Sequence, residues 1–130
     1  MVGIVIVSHS QKLAEGVAEL ASMMADGVRI EAAGGLEDGG LGTSFARIQK
    51  AIALADGGDG AIVLADMGSA FLTAELAADA QEGGRVRLAD APLAEGAVLA
   101  AVTAAGGAPL DEVLRKAESA RSWDKRALGA

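Results

Sequence analysis

Residues 1–10 read MVGIVIVSHS, an apolar run from Val2 to Val7 that stops abruptly at Ser8-His9-Ser10. A run with no polar alternation is what a strand buried on both faces requires, and such strands belong to parallel sheets covered by helices on either side. Leu13, Val17, Leu20 and Met24 then recur at helical spacing opposite Lys12, Glu15 and Glu19, and the pattern closes near Asp26-Gly27. The same switch from period-free apolar strand to helix repeats along the chain. Val28 to Ala33 reads as a second strand, followed by a glycine-rich loop, Gly34 to Gly42, and a helix with Phe45, Ile48, Ile52 and Ala55 on one face. Ala61 to Ala65 is a third strand, with Leu72, Leu76 and Ala80 at the inward positions of its helix. Arg85 to Leu88 is a weaker fourth strand whose alternating arginines suit a sheet edge. Helices from Leu93 to about Ala105 and from Leu110 to Ala120 start behind Pro92 and Pro109, with Val113, Leu114 and Ala117 facing in, and the tail from Arg121 gives no clear pattern.

Successive βα units of this kind specify an α/β domain, an open parallel four-stranded sheet with helices on both faces. The 130 residues are read as one domain, 1–130, without repeats or linkers. Leu, Ile, Val and Phe make up about a quarter of the chain, enough for a core, while Ala and Gly supply more than a third and favour close helix-on-sheet packing. Cysteine is absent and histidine occurs once, which excludes disulfides, thiolate catalysis and multi-imidazole zinc sites. No signal peptide and no membrane-spanning stretch is visible, so a cytoplasmic protein is expected. A net charge of −7 is the wrong sign for nucleic acid or anionic lipid.

In an open α/β sheet, ligands bind beyond the carboxyl ends of the strands where the strand order reverses. If the order is 2-1-3-4, strands one and three are neighbours, the reversal falls between them, and His9 would meet Asp66 there. Two readings of His9 stand side by side. It is incidental to a helix entrance capped by a Ser8/Gln11 box or by Ser10, or it is a nucleophile whose ring Asp66 orients by fixing the tautomer. Asp66 likewise either caps the following helix, a role open to Ser69 as well, or holds His9. The run Gly39-Gly40-Leu41-Gly42-Thr43-Ser44 precedes a helix and is either a flexible loop or an anion cradle whose Thr43 and Ser44 reach a phosphoryl group on His9. It lacks the lysine of a Walker A loop. No Arg or Lys stands at a strand end and no carboxylate cluster offers magnesium ligands, so a transient phosphoryl carrier is easier to build here than a kinase. Arg47, Lys50, Glu75 and Glu82 are expected on outward helical positions.

The segments GIVIVSHSQKLAEG, AAGG with DGGLGTSFARIQKAI, AIVLADMGSAFLTAEL and VRLADAPLAEGAVLAAVTAAGG together resemble the DhaM family, the phosphotransferase subunits of bacterial dihydroxyacetone kinases, from Met1 to about Lys116. They are more distantly similar to the enzyme IIA domains of mannose-type sugar phosphotransferase systems. The resemblance implies the 2-1-3-4 sheet, a homodimer, phosphorylation of His9, and hydrogen bonding of its ring by Asp66. It also places Gly42, Thr43, Gly68 and Ser69 in the loops around the phosphoryl group. The implied route runs from phosphoenolpyruvate through enzyme I and the carrier HPr to His9. From there it passes to ADP held on the subunit DhaL, whose ATP phosphorylates dihydroxyacetone on DhaK. No cofactor or metal is expected on this chain itself. Some family members continue into HPr-like and enzyme I-like domains, so here those carriers are separate proteins, or the chain is the amino-terminal domain of a longer one. The alternatives are a sugar-transport enzyme IIA that hands its phosphate to an enzyme IIB, which the DMGSA block disfavours, and a regulatory binding module without chemistry.

Overall fold

The computed structural model describes residues 1–81 and 83–126. Nine main elements run in chain order: β1 (Gly3–Ser8), α1 (Gln11–Ser22), β2 (Ile30–Gly34), α2 (Phe45–Ala55), β3 (Ala61–Ala65), α3 (Gly68–Asp79), β4 (Val86–Leu88), α4 (Leu93–Ala105) and α5 (Leu110–Glu118). A short 3-10 turn, Ser119–Ser122, follows α5 and accounts for the start of the unassigned tail. All strand pairs are parallel and the sheet order is β2-β1-β3-β4, the order that the family resemblance implies. Expected Glu82 lies outside the described residues. Among the described residues no helix is long and apolar enough to cross a membrane.

The core is two layers divided by β1 and β3. Successive strand residues point to opposite faces, so Ile4, Ile6, Ile62 and Leu64 pack under α1, α4 and α5. Val5, Val7, Ala61 and Val63 pack under α2 and α3. Every residue of β1 is buried, which is why its sequence shows no alternation. Burying each such Ile, Leu or Val contributes about 1.5–3 kcal/mol, and the central pair of strands therefore anchors the domain.

Two helices are rotated from the sequence expectation. In α1 the buried residues are Ala14, Val17 and Ala21, while Leu13, Leu20 and the following Met24 are exposed. In α3 they are Ala70, Ala74 and Ala77, and Leu72 and Leu76 stand 62% and 64% exposed, with Ala80 also outward. Both helices carry two apolar stripes, and the stripe of small residues wins the sheet because it lets the backbone approach. In α2, Phe45 is half-exposed while Ile48, Ile52 and Ala55 are buried as expected. Helix α5 turns Val113 and Ala117 inward, with Leu114 only half-buried. Boundaries move as well: α1 ends at Ser22 rather than near Asp26, and β2 starts at Ile30 rather than Val28. Lys50 and Glu75 are exposed, but Arg47 is half-buried and its Nε is shielded without a partner.

Backbones approach closely where β2 ends. Gly34 pairs with Ser8 across the β1–β2 ladder. A Cβ at Gly34 would lie 2.5 Å from the Ser10 carbonyl oxygen and 2.7 Å from both Ala14 Cβ and Gln11 Cα. Only glycine lets α1 start directly over the sheet's carboxyl edge. Gly34→Ala should therefore lower stability by about 1–3 kcal/mol, the usual range for overpacking. Urea unfolding checks this, and an unchanged midpoint would mean that α1 is not held against the sheet as described.

Candidate functional site

The site forms where β1 and β3 end side by side. Val7 pairs with Ala65 in the ladder, and the next N–H, that of Asp66, donates to the Val7 carbonyl at 3.1 Å. This last rung sets the Asp66 side chain beside the backbone of Ser8 and His9. Asp66 Oδ2 accepts from the Ser8 hydroxyl at 2.8 Å and from the His9 N–H at 3.1 Å. Asp66 Oδ1 lies 3.1 Å from His9 Nδ1. The other ring nitrogen, Nε2, lies 2.9 Å from Ser69 Oγ.

These partners assign the tautomer. An ionised carboxylate only accepts, so Nδ1 carries the proton and Nε2 presents a lone pair to the Ser69 hydroxyl. Burial pushes the Asp66 carboxyl up, but the bonds from Ser8, the His9 N–H and the His9 ring outweigh it and hold the group below the ordinary aspartate range. The His9 side chain is 26% exposed and that of Asp66 13%. The ring is partly open to solvent and the carboxylate beside it is more shielded.

The remaining expectations divide. Ser10, not a Ser8/Gln11 box, caps α1, its Oγ accepting from the Leu13 N–H at 3.2 Å. Ser69 is likewise not a cap: α3 begins at Gly68 behind Met67, which makes no side-chain cap bond. The first turn of α3 thus presents N–H groups and the positive end of the helix dipole close to His9 Nε2. Gly42 lies near His9, but its N–H donates to the His9 carbonyl at 2.9 Å and so anchors the loop. Its φ of +144° is one that side-chain-bearing residues rarely adopt. Thr43 Oγ1 donates to Thr73 Oγ1 at 3.4 Å, and Thr73 in turn bonds the Ser69 carbonyl at 3.1 Å, so Thr43 reaches the site through α3. Ser44 does not reach it: it caps α2 through the Arg47 N–H and donates to Glu37 Oε1 at 2.6 Å. Sequence reasoning missed the place of Ser8. The signal was a serine ending a strand that is otherwise wholly apolar.

A cleft of about 380 Å³ adjoins the pair, lined by Asp66, Met67, Gly68 and Phe71 on one side and Ala89 to Ala91 on the other. A second hollow, about 420 Å³, lies between β2 and α2 around Glu31 and Arg47, away from His9. Among the described residues no three potential metal-ligating side chains gather.

A doubly wound domain with one oriented, open imidazole at its topological switch point defines the class. The family model of the mannose-type enzyme IIA proteins, described as PTS system fructose IIA component, matches residues 3–114. The chain is 41% identical, over 99% of its length, to the phosphoryl donor subunit DhaM of the PEP-dependent dihydroxyacetone kinase of Escherichia coli (strain K12), and spans 29% of that relative. It is 42% identical over 78% of its length to a DhaM subunit of Listeria innocua, named phosphoryl donor subunit of PEP-dependent dihydroxyacetone kinase 2, and spans 85% of that one. A crystal structure of a protein of unknown function superposes with a TM-score of 0.82 at 36% identity, covering 95% of this chain and all of the other. The chain belongs to the mannose-type enzyme IIA family, among its DhaM members.

The lowered pKa of Asp66 has a stability consequence. A carboxyl whose folded pKa lies below its unfolded value stabilises the fold above that unfolded value, and the stabilisation is lost as pH falls through the folded one. Asp66→Asn should therefore show a shallower loss of stability than the wild type as pH falls below about 4, the ordinary aspartate range. Unfolding curves collected across that range test this; parallel slopes for the two proteins would show that Asp66 is not held ionised by its neighbours.

Proposed function

We propose that this chain is a phosphohistidine carrier: His9 Nε2 takes a phosphoryl group from HPr and passes it to ADP bound on DhaL, supporting phosphorylation of dihydroxyacetone on DhaK. The single observation that carries the reading is the 3.1 Å contact of His9 Nδ1 with Asp66 Oδ1, with Nε2 turned toward the α3 N-terminus. In this mechanism the Nε2 lone pair attacks phosphorus as the bond to the donor nitrogen breaks. The attack leaves positive charge on the ring, and the Asp66 carboxylate offsets it through the Nδ1–H. Ser69 Oγ, no longer bonded to the lone pair, turns to donate to a phosphoryl oxygen. The first-turn N–H groups of α3, including those of Gly68 and Ser69, face the same charge. Transfer to ADP reverses the step: a terminal phosphate oxygen of ADP bonds to phosphorus as the phosphorus–nitrogen bond breaks, and Nε2 regains its lone pair.

The names of the relatives support the acceptor pathway, since those in Escherichia coli and Listeria innocua are phosphoryl donor subunits of dihydroxyacetone kinases. The proposal needs no cofactor on this chain; phosphoenolpyruvate is the ultimate donor and ADP stays with DhaL. It also includes a cytoplasmic location and a homodimer, for which Leu72 and Leu76 on the outer face of α3 offer apolar surface.

Incubation with enzyme I, HPr and labelled phosphoenolpyruvate should give an acid-labile, alkali-stable label on the wild type and none on His9→Ala, with the fold intact. Asp66→Ala should slow labelling by about 10²-fold, at the low end of what orientation and charge compensation supply, without abolishing it. An unlabelled wild type with active partners sinks the carrier reading, and discharge to an enzyme IIB rather than to DhaL with ADP would move the chain to sugar transport. Sedimentation equilibrium at micromolar concentration should return a dimer; a monomer there removes the homodimer.

A further inference from the structure

Ser8 is fully buried, the only polar side chain so shielded among the described residues, and the carrier mechanism gives it no contact with the phosphoryl group. Its surroundings leave its hydroxyl one orientation. The Ser10 N–H donates to Ser8 Oγ at 3.0 Å, occupying an acceptor site, and the hydroxyl proton points to Asp66 Oδ2 at 2.8 Å. With the His9 N–H also on Oδ2, that oxygen has two donors from β1 and the turn beyond it. The carboxylate cannot rotate without breaking both bonds, and its free oxygen, Oδ1, is the one presented to His9 Nδ1.

From this geometry we propose that Ser8 is a positioning residue for His9, acting through Asp66: it fixes the roll of the carboxylate so that Oδ1 holds the Nδ1–H tautomer and Nε2 faces outward. The chain of bonds runs from the start of α1 through Ser8 and Asp66 to the ring, and each bond polarises the next. Ser8 touches no reacting atom, so its effect lies in the ring tautomer and in the rate that depends on it. The bonds that hold the Asp66 carboxyl below the ordinary aspartate range include the one from Ser8, in agreement with a charged acceptor at Oδ2.

The inference rests on the proposed carrier function for its kinetic readout alone. The ring tautomer of His9 is read from its ¹⁵N shifts without any donor. In Ser8→Ala and in Ser8→Cys, which keeps the volume but offers only a weak donor, the Nδ1–H share should fall. Labelling of His9 by HPr should slow by about tenfold, the lower end of what loss of an orienting partner causes at comparable sites. Ser8→Thr, which restores the hydroxyl, should recover both. In an Asp66→Ala background, Ser8→Cys should have no further effect on the rate, because the two act in series. A wild-type tautomer in folded Ser8→Cys overturns the inference, and so does a tenfold loss that persists without Asp66. A wild type that HPr does not label overturns the carrier reading and leaves the tautomer test in force.

Discussion

The site depends on the hydrogen bond from the Asp66 N–H to the Val7 carbonyl, the last rung of the β1–β3 ladder. It fixes the register at the one level where both strands give way to loops. Because side chains alternate with period two, a slip of one residue would send the Asp66 carboxylate to the opposite face and leave Ser8 and the His9 ring without their shared acceptor. The register is secured far from the chemistry, by Ile4, Ile6, Ile62 and Leu64 on one face and Val5, Val7 and Val63 on the other, all fully buried. Packing of β1 and β3 thus does the positioning, and the polar groups at their ends inherit it.

The helices show how packing selects among stripes that sequence leaves equivalent. Helix α3 has its leucines and its alanines on different faces, and a reading by size puts the leucines inside. The sheet takes Ala70, Ala74 and Ala77. Parallel strands covered by Val and Ile side chains leave little depth between sheet and helix axis, and helix α4 makes the same choice with Gly96, Ala97, Ala100, Ala101 and Ala104. At Gly96 a Cβ would come within 2.7 Å of Leu64 Cδ2. The depth of that layer is a tertiary quantity, so no helical period encodes it. Element count and the parallel sheet were legible because they follow from the alternation of strand and helix patterns and from right-handed crossovers, and the strand order was legible through the family resemblance. The rotation of α1 and α3 was not.

The candidate site divides along the same line. His9 and Asp66 were legible as a pair, because each follows a strand and the 2-1-3-4 order makes those strands neighbours. The sequence left the helix cap open between Ser8 and Ser10, since Ser-x-x-Gln is a capping pattern wherever it occurs; Ser10 takes the cap and frees Ser8 for Asp66. Thr43 and Ser44 differ for a reason one residue long. Ser44 is consumed by the α2 N-terminus, and Thr43, outside the helix, turns to Thr73 on α3. Local competition for serine and threonine hydroxyls is decided by which backbone donors are orphaned, and that is visible only once the helix starts are fixed.

On the carrier reading, the sparse charge around His9 has a thermodynamic role. A group that must be received from one partner and released to another cannot sit in a deep free-energy well on the protein between the two. The cleft beside His9 is lined by Asp66, Met67, Gly68, Phe71 and Ala89 to Ala91, with neither lysine nor arginine among them. Hydroxyl and N–H donors steady a phosphoryl group without the charge-assisted strength of a guanidinium clamp. Asp66 adds a balance of its own: its negative charge favours the ring's positive charge through Nδ1 and opposes the phosphoryl oxygens beyond Nε2. One carboxylate, held ionised by Ser8 and the His9 N–H, therefore promotes attack on the incoming group while keeping the product ready to leave.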